Sequence, residues 1–153
     1  MKRLFLILGD QLHPDPHPLL VDFDAARDRL LMVEAPEEST HVWSHKARSA
    51  LFLAAMRQRA KALRRVGFPL DYLRLGEHPF FSLAEAVRAQ LAAGTFDALV
   101  MLEAGDARVQ EALQAACAAL GKPLLVRPDP HFLCSHEAFA RWAGEKTQLR
   151  QEF

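Results

Sequence analysis

At 153 residues the chain has the length of one domain, and such a chain buries about 68–70% of its unfolded surface on folding, so no disulfide or metal staple is required. Hydrophobic residues at 50% and charged residues at 25% exclude a disordered or membrane-spanning polypeptide, and 19 basic against 19 acidic side chains remove any compositional argument for a nucleic-acid or membrane partner. The start MKRLFLILGDQL is interrupted by Gly9, Asp10 and Gln11 too early for a secretory leader, which predicts a cytoplasmic location. Cys117 and Cys134 have no metal-ligand spacing and are expected to be free thiols.

Leu4 to Leu8 is an unbroken apolar run bounded by Gly9 and Asp10, the pattern of a strand covered on both faces. Similar runs at Leu30 to Val33, Leu70 to Leu75, Ala98 to Leu102 and Pro123 to Val126 bring the expected strands to about five. His13 to Pro18 (HPDPHP) and Val126 to Pro130 read as proline-rich loops. Helical spacing falls between the later strands. Ala47 to Val66 carries Phe52, Met56, Leu63 and Val66, and Arg108 to Leu120 carries Val109, Leu113, Cys117 and Leu120. Ser82 followed by Glu85 is a capping box that opens a third helix. Gly67, Gly94 and Gly121 each stand between a helical segment and a strand, and are expected to close their helices in the left-handed conformation. A last short helix is expected from Ser135, with Glu137 in its first turn and Phe139 and Trp142 on one face. The alternation predicts a doubly wound, Rossmann-like α/β fold with a parallel sheet in the order 3-2-1-4-5, its first strand central. One domain over 1–145 is expected, and 146–153, ending in TQLRQEF without a helix terminator, reads as the start of a linker.

In such a sheet, ligands sit beyond the carboxyl ends of the strands where the strand order reverses. Gly9, Asp10 and Gln11 follow the first strand, Glu34 to Glu38 the second and Glu103 to Asp106 the fourth. Neither GxGxxG nor GxxxxGK[ST] is present, and carboxylates at three strand ends repel a pyrophosphate. They suit a ligand that donates hydrogen bonds from hydroxyl or ring N–H groups. Glu37 and Asp106 read as helix caps, whereas Asp10 and Glu38 stay open between capping and ligand binding. No catalytic or metal residues are assigned. The seven histidines show no HExxH or HxH spacing, no GxSxG elbow exists, and Ser135 in Cys134-Ser135-His136 reads as a helix N-cap. Cys117 belongs to a buried stripe. The run Lys46, Arg48, Arg57, Arg59, Lys61, Arg64 and Arg65 without an intervening acid reads first as a solvated helix face, with a docking face for an anionic partner as the other reading.

LILGDQL (Leu6 to Leu12), ALFLAAMR (Ala50 to Arg57) after EAPEES and His45, FLCSHEAFARW (Phe132 to Trp142) and the closing QLRQEF together resemble the deoxyribodipyrimidine photolyase-related proteins, which include iron–sulfur bacterial cryptochromes and six-four photolyases. The resemblance covers essentially the whole chain. It implies the N-terminal α/β domain, which in that family holds an antenna, commonly a lumazine with a ribityl chain such as 6,7-dimethyl-8-ribityllumazine. It places Gly9, Asp10, Gln11, Glu34, Glu38, His45 and Gly105 at the antenna pocket. By the same resemblance FAD, the iron–sulfur cluster and the DNA-binding groove belong to a helical C-terminal domain outside these residues. This chain's partners would then be the chromophore and that domain, DNA would be met only through the latter, and the chain would be inactive alone in light-dependent repair or blue-light sensing. Three positions depart from the family pattern: Ser44 precedes His45 where two adjacent histidines are usual, and Ala104 and Ala107 stand where a proline and an aromatic are usual. The competing readings are a stand-alone flavodoxin-like interaction module that binds a partner through the basic helix and, with less support, a receiver-type domain, which needs an acid where Leu75-Gly76 stands.

Overall fold

The computed structural model describes residues 1–14, 16–42 and 44–145; the linker expected at 146–153 lies outside them. Five strands, β1 (Arg3–Leu6), β2 (Arg29–Val33), β3 (Leu70–Leu73), β4 (Ala98–Leu102) and β5 (Leu124–Arg127), form one parallel sheet in the order β3-β2-β1-β4-β5. The predicted order is the observed one, and the first strand is central. Its alternate side chains explain why. Leu4 and Leu6 enter the core on one sheet face with Leu31, Leu99 and Met101, while Phe5 and Ile7 enter the other with Leu30, Met32 and Val100. Only a strand paired on both edges and covered on both faces buries every residue of such a run, at about 1.5–3 kcal/mol for each large side chain.

The first face is covered by α3 (Leu83–Ala93) and α4 (Ala107–Ala118), which supply Val87, Leu91, Leu113 and the fully buried Cys117. On the second lies α2 (Lys46–Arg65), through Met56, Ala60 and Leu63. The remaining helices are short: α1 (Pro36–Thr40) and α5 (His136–Ala143). Among the described residues of the β1 to β2 connection there is no α-helix; a 3-10 turn, Pro18–Leu20, drives Leu19 into the second core. His17 fixes that turn, its Nδ1 accepting from the Leu19 N–H at 3.2 Å while its Nε2 stands 3.0 Å from the Gln11 carbonyl.

Ser82 and Glu85 form the expected capping box, and Ser135 caps α5 by accepting from the Ala138 N–H at 3.1 Å. Gly67 and Gly121 take positive φ, +90° and +63°, as expected of helix closers. Gly94 does not: its φ is −91°. The residue is required for room instead, because a Cβ at Gly94 would lie 2.3 Å from the Phe96 ring. Along α2, Phe52 and Val66 fall outside the buried stripe, at 39% and 61% exposure. Phe139 and Trp142 share a face of α5 with ring centroids 5.7 Å apart, and both are exposed. Among the described residues no helix is long and apolar enough to cross a membrane.

Candidate functional site

The strand order reverses between β1 and β4, and a cavity of about 340 Å³ opens at their carboxyl ends. Its floor is Ile7 to Asp10 after β1, Val33 to Ala35 at the end of β2, and Ala104 to Asp106 after β4. Glu38 of α1 and Arg48, Phe52 and Met56 of α2 form its walls. A volume near the lower end of small-molecule sites, with mixed apolar and polar walls, fits a ligand of one or two fused rings.

Gly9 allows α2 to come this close. A Cβ there would stand 3.0 Å from the Met56 sulfur, so any side chain would displace the wall. Gly105 faces Asp10 across the floor, its hypothetical Cβ 3.6 Å from the Asp10 carboxylate. Asp10 is exposed, and among the described residues its carboxylate has no hydrogen-bond or ion-pair partner. Glu34 is the opposite case. It lines the same cavity, yet its carboxylate is wholly buried and saturated. Arg57 donates to both oxygens at 2.8 and 2.9 Å, Tyr72 donates its hydroxyl, and the Leu75 N–H donates at 2.9 Å. Burial opposes ionisation of Glu34, but these donors outweigh it and hold the pKa at about 2. Burial and the Glu34 carboxylate together push the Tyr72 hydroxyl above its ordinary value.

Glu38 stands at the rim beside Arg108, 3.4 Å away. Arg108 also reaches Asp106 at 3.3 Å and Glu37 at 3.7 Å, so one guanidinium gathers the acids at the starts of α1 and α4. Asp106 in addition caps α4, accepting from the Arg108 N–H at 2.9 Å. Two expected site residues do not line the cavity. Gln11 is buried away from it, donating to the Glu103 carbonyl at 2.7 Å and to Asp129 at 3.3 Å. His45 is the N-cap of α2, its Nδ1 accepting from the Ala47 N–H at 3.1 Å. Ala107 does not line the cavity, although its neighbours Asp106 and Arg108 do.

Sequence reasoning missed Phe52 and Arg48 as wall residues. Phe52 was assigned to the buried stripe, but it supplies the aromatic surface of the cavity, with the Arg48 guanidinium 5.6 Å from its ring centroid. It continues the Met56, Ala60, Leu63 line one turn toward the N-terminus of α2, so helical spacing alone does not separate it from the core.

The chain is thus an open, doubly wound α/β domain with a ligand-sized crevice at its switch point, the place where sheets of this class bind their ligands. The sequence profile of the family described as deoxyribodipyrimidine photo-lyase-related protein matches residues 5–153, and the chain belongs to that family. It is 31% identical over its whole length to a (6-4) photolyase of Agrobacterium fabrum (strain C58 / ATCC 33970), and spans 30% of that relative's length.

Proposed function

We propose that the cavity holds the antenna chromophore of a photolyase-related flavoprotein acting in light-dependent DNA repair or blue-light sensing, and that the chromophore is a ribityl-bearing heteroaromatic such as 6,7-dimethyl-8-ribityllumazine. The observation that carries this reading is the pairing, in one cavity, of an uncommitted carboxylate at Asp10 with an apolar wall of Phe52 and Met56. Asp10 accepts from a ribityl hydroxyl or a ring N–H, while the side-chain-free backbones of Gly9 and Gly105 let the ring approach closely. Glu38 shares its carboxylate between Arg108 and the ligand. Glu34 acts indirectly, by anchoring α2 through Arg57. FAD, an iron–sulfur cluster and DNA are assigned to the family's helical domain, so residues 1–153 alone are expected to neither bind flavin nor repair photolesions under illumination.

The test is titration of 6,7-dimethyl-8-ribityllumazine followed by fluorescence. Removing a hydrogen bond to a charged acceptor costs about 1.5–3 kcal/mol, so Asp10→Asn should weaken binding roughly ten- to a hundredfold. Equal affinity in wild type, Asp10→Asn and Phe52→Ala would put the ligand elsewhere, and no binding to wild type would end the antenna reading. Docking of an anionic partner on α2 has less support, because Arg57 and Arg64 of its basic run are bonded within the chain, to Glu34 and to the Leu70 carbonyl.

A further inference from the structure

Outside the cavity, His13 from the loop after β1 meets Asp129 and His131 from the loop after β5, and the ligand atoms of these three metal-ligating side chains all fall within 4.8 Å of one another. We propose that they bind one divalent first-row transition-metal ion, with zinc as the probe. The His13 Nε2 stands 3.2 Å and the His131 Nδ1 3.8 Å from the same Asp129 oxygen. An ion with ligand bonds of about 2.0–2.1 Å in tetrahedral geometry separates neighbouring donor atoms by about 3.3 Å, so the ligand spacing is already near what such an ion needs.

Three further features point to a cation. Asp129 is 7% exposed, and among the described residues its only charged or chargeable partners are the two histidines, with no lysine or arginine. A buried carboxylate without a counter-charge is costly. His13 is 5% exposed, and its Nε2, 3.2 Å from that carboxylate, has no hydrogen-bond partner. The two imidazoles are stacked with centroids 3.8 Å apart and planes 14° from parallel, so a turn of the exposed His131 ring would bring both lone pairs onto one ion. A metal ion takes a lone pair from both rings and from the carboxylate together. The outer contacts of the carboxylate are also built: Gln11 Nε2 donates to one oxygen at 3.3 Å and the His131 backbone N–H to the other at 3.0 Å. Imidazole and carboxylate without thiolate suit Zn²⁺, Fe²⁺ or Mn²⁺, and three protein ligands leave a position for water.

The ion would tie the turn after β1 to the β5–α5 connection. It would thereby fix Phe132, whose ring comes within 3.9 Å of a Cβ placed on Gly105 at the cavity floor. His131 is largely exposed, so His131→Ala removes a ligand without opening the core, and Asp129→Asn keeps the size of the side chain. The intact protein, stripped with a chelator and dialysed against micromolar Zn²⁺, should take up one zinc per chain more than either variant, with its cofactor iron counted separately. Its thermal transition should rise with Zn²⁺, and His131→Ala should weaken the zinc affinity at least tenfold. Equal zinc in wild type and both variants, or no saturable uptake by wild type, would overturn the proposal.

Discussion

The two walls of the cavity nearest β1 are both acidic, but they are built on opposite principles. On the β2 side, Glu34 is buried beneath Arg57, Tyr72 and the Leu75 amide, and every lone pair that could greet a ligand is already engaged. Across the floor, Asp10 occupies an open turn and has no partner among the described residues. The same functional group at neighbouring strand ends is therefore a structural anchor in one place and an available acceptor in the other. Charge at a strand end does not identify a binding residue; its unspent hydrogen-bonding capacity does.

Four measurements break or sharpen this contrast. Arg57→Ala strands the buried Glu34 charge and should give the largest loss of stability of the four. Urea unfolding should show that loss, and a change below about 1 kcal/mol would mean that water replaces the guanidinium.

The second measurement is acid unfolding. Glu34 is held at a pKa of about 2, below the 4.5 of the free side chain. Its contribution is therefore fully present above about pH 4.5 and is lost as pH falls toward 2. The difference is on the order of 3 kcal/mol at about 1.4 kcal/mol per pH unit. Glu34→Gln should flatten the stability profile between those limits, and an unaltered slope would assign the acid sensitivity to other carboxylates such as Asp28, whose pKa is also lowered.

A smaller effect is expected at Gly94, on the opposite face of the sheet from α2. If its role is clearance from Phe96, Gly94→Ala should cost about 1–3 kcal/mol by overpacking. The companion change Phe96→Leu should relieve most of that loss, and failure of this rescue would return Gly94 to a purely backbone role. The smallest effect belongs to Asp10. Asp10→Asn should leave stability within about 0.5 kcal/mol of wild type, as for a surface side chain without partners. A clear stability loss with unchanged ligand affinity would invert the comparison with Glu34.

Much of the framework was written in local sequence. The run Leu4 to Leu8 required a central strand, because only pairing on both edges and cover on both faces buries all of it, and the glycine and Ser82-Glu85 punctuation marked the helices between strands. Where the chain reverses strand order, and hence that Gly9, Asp10, Glu34, Glu38 and Gly105 meet around one cavity, followed from that framework. Three things did not. Glu34 and Asp10 are indistinguishable as letters; Arg57 on a helix and Tyr72 on an edge strand decide between them, and both lie more than twenty residues away. Gly94 resembled its two fellow glycines until the Phe96 ring took the space a Cβ would need. Asp129 and His131 are near neighbours, but their meeting with His13 leaves no motif, because it depends on the parallel alignment of β1, β4 and β5. Local pattern determines which elements form and which faces they bury, since period and capping act within a few residues. Whether a polar group is spent or free depends on partners that only the packed sheet brings within 3 Å.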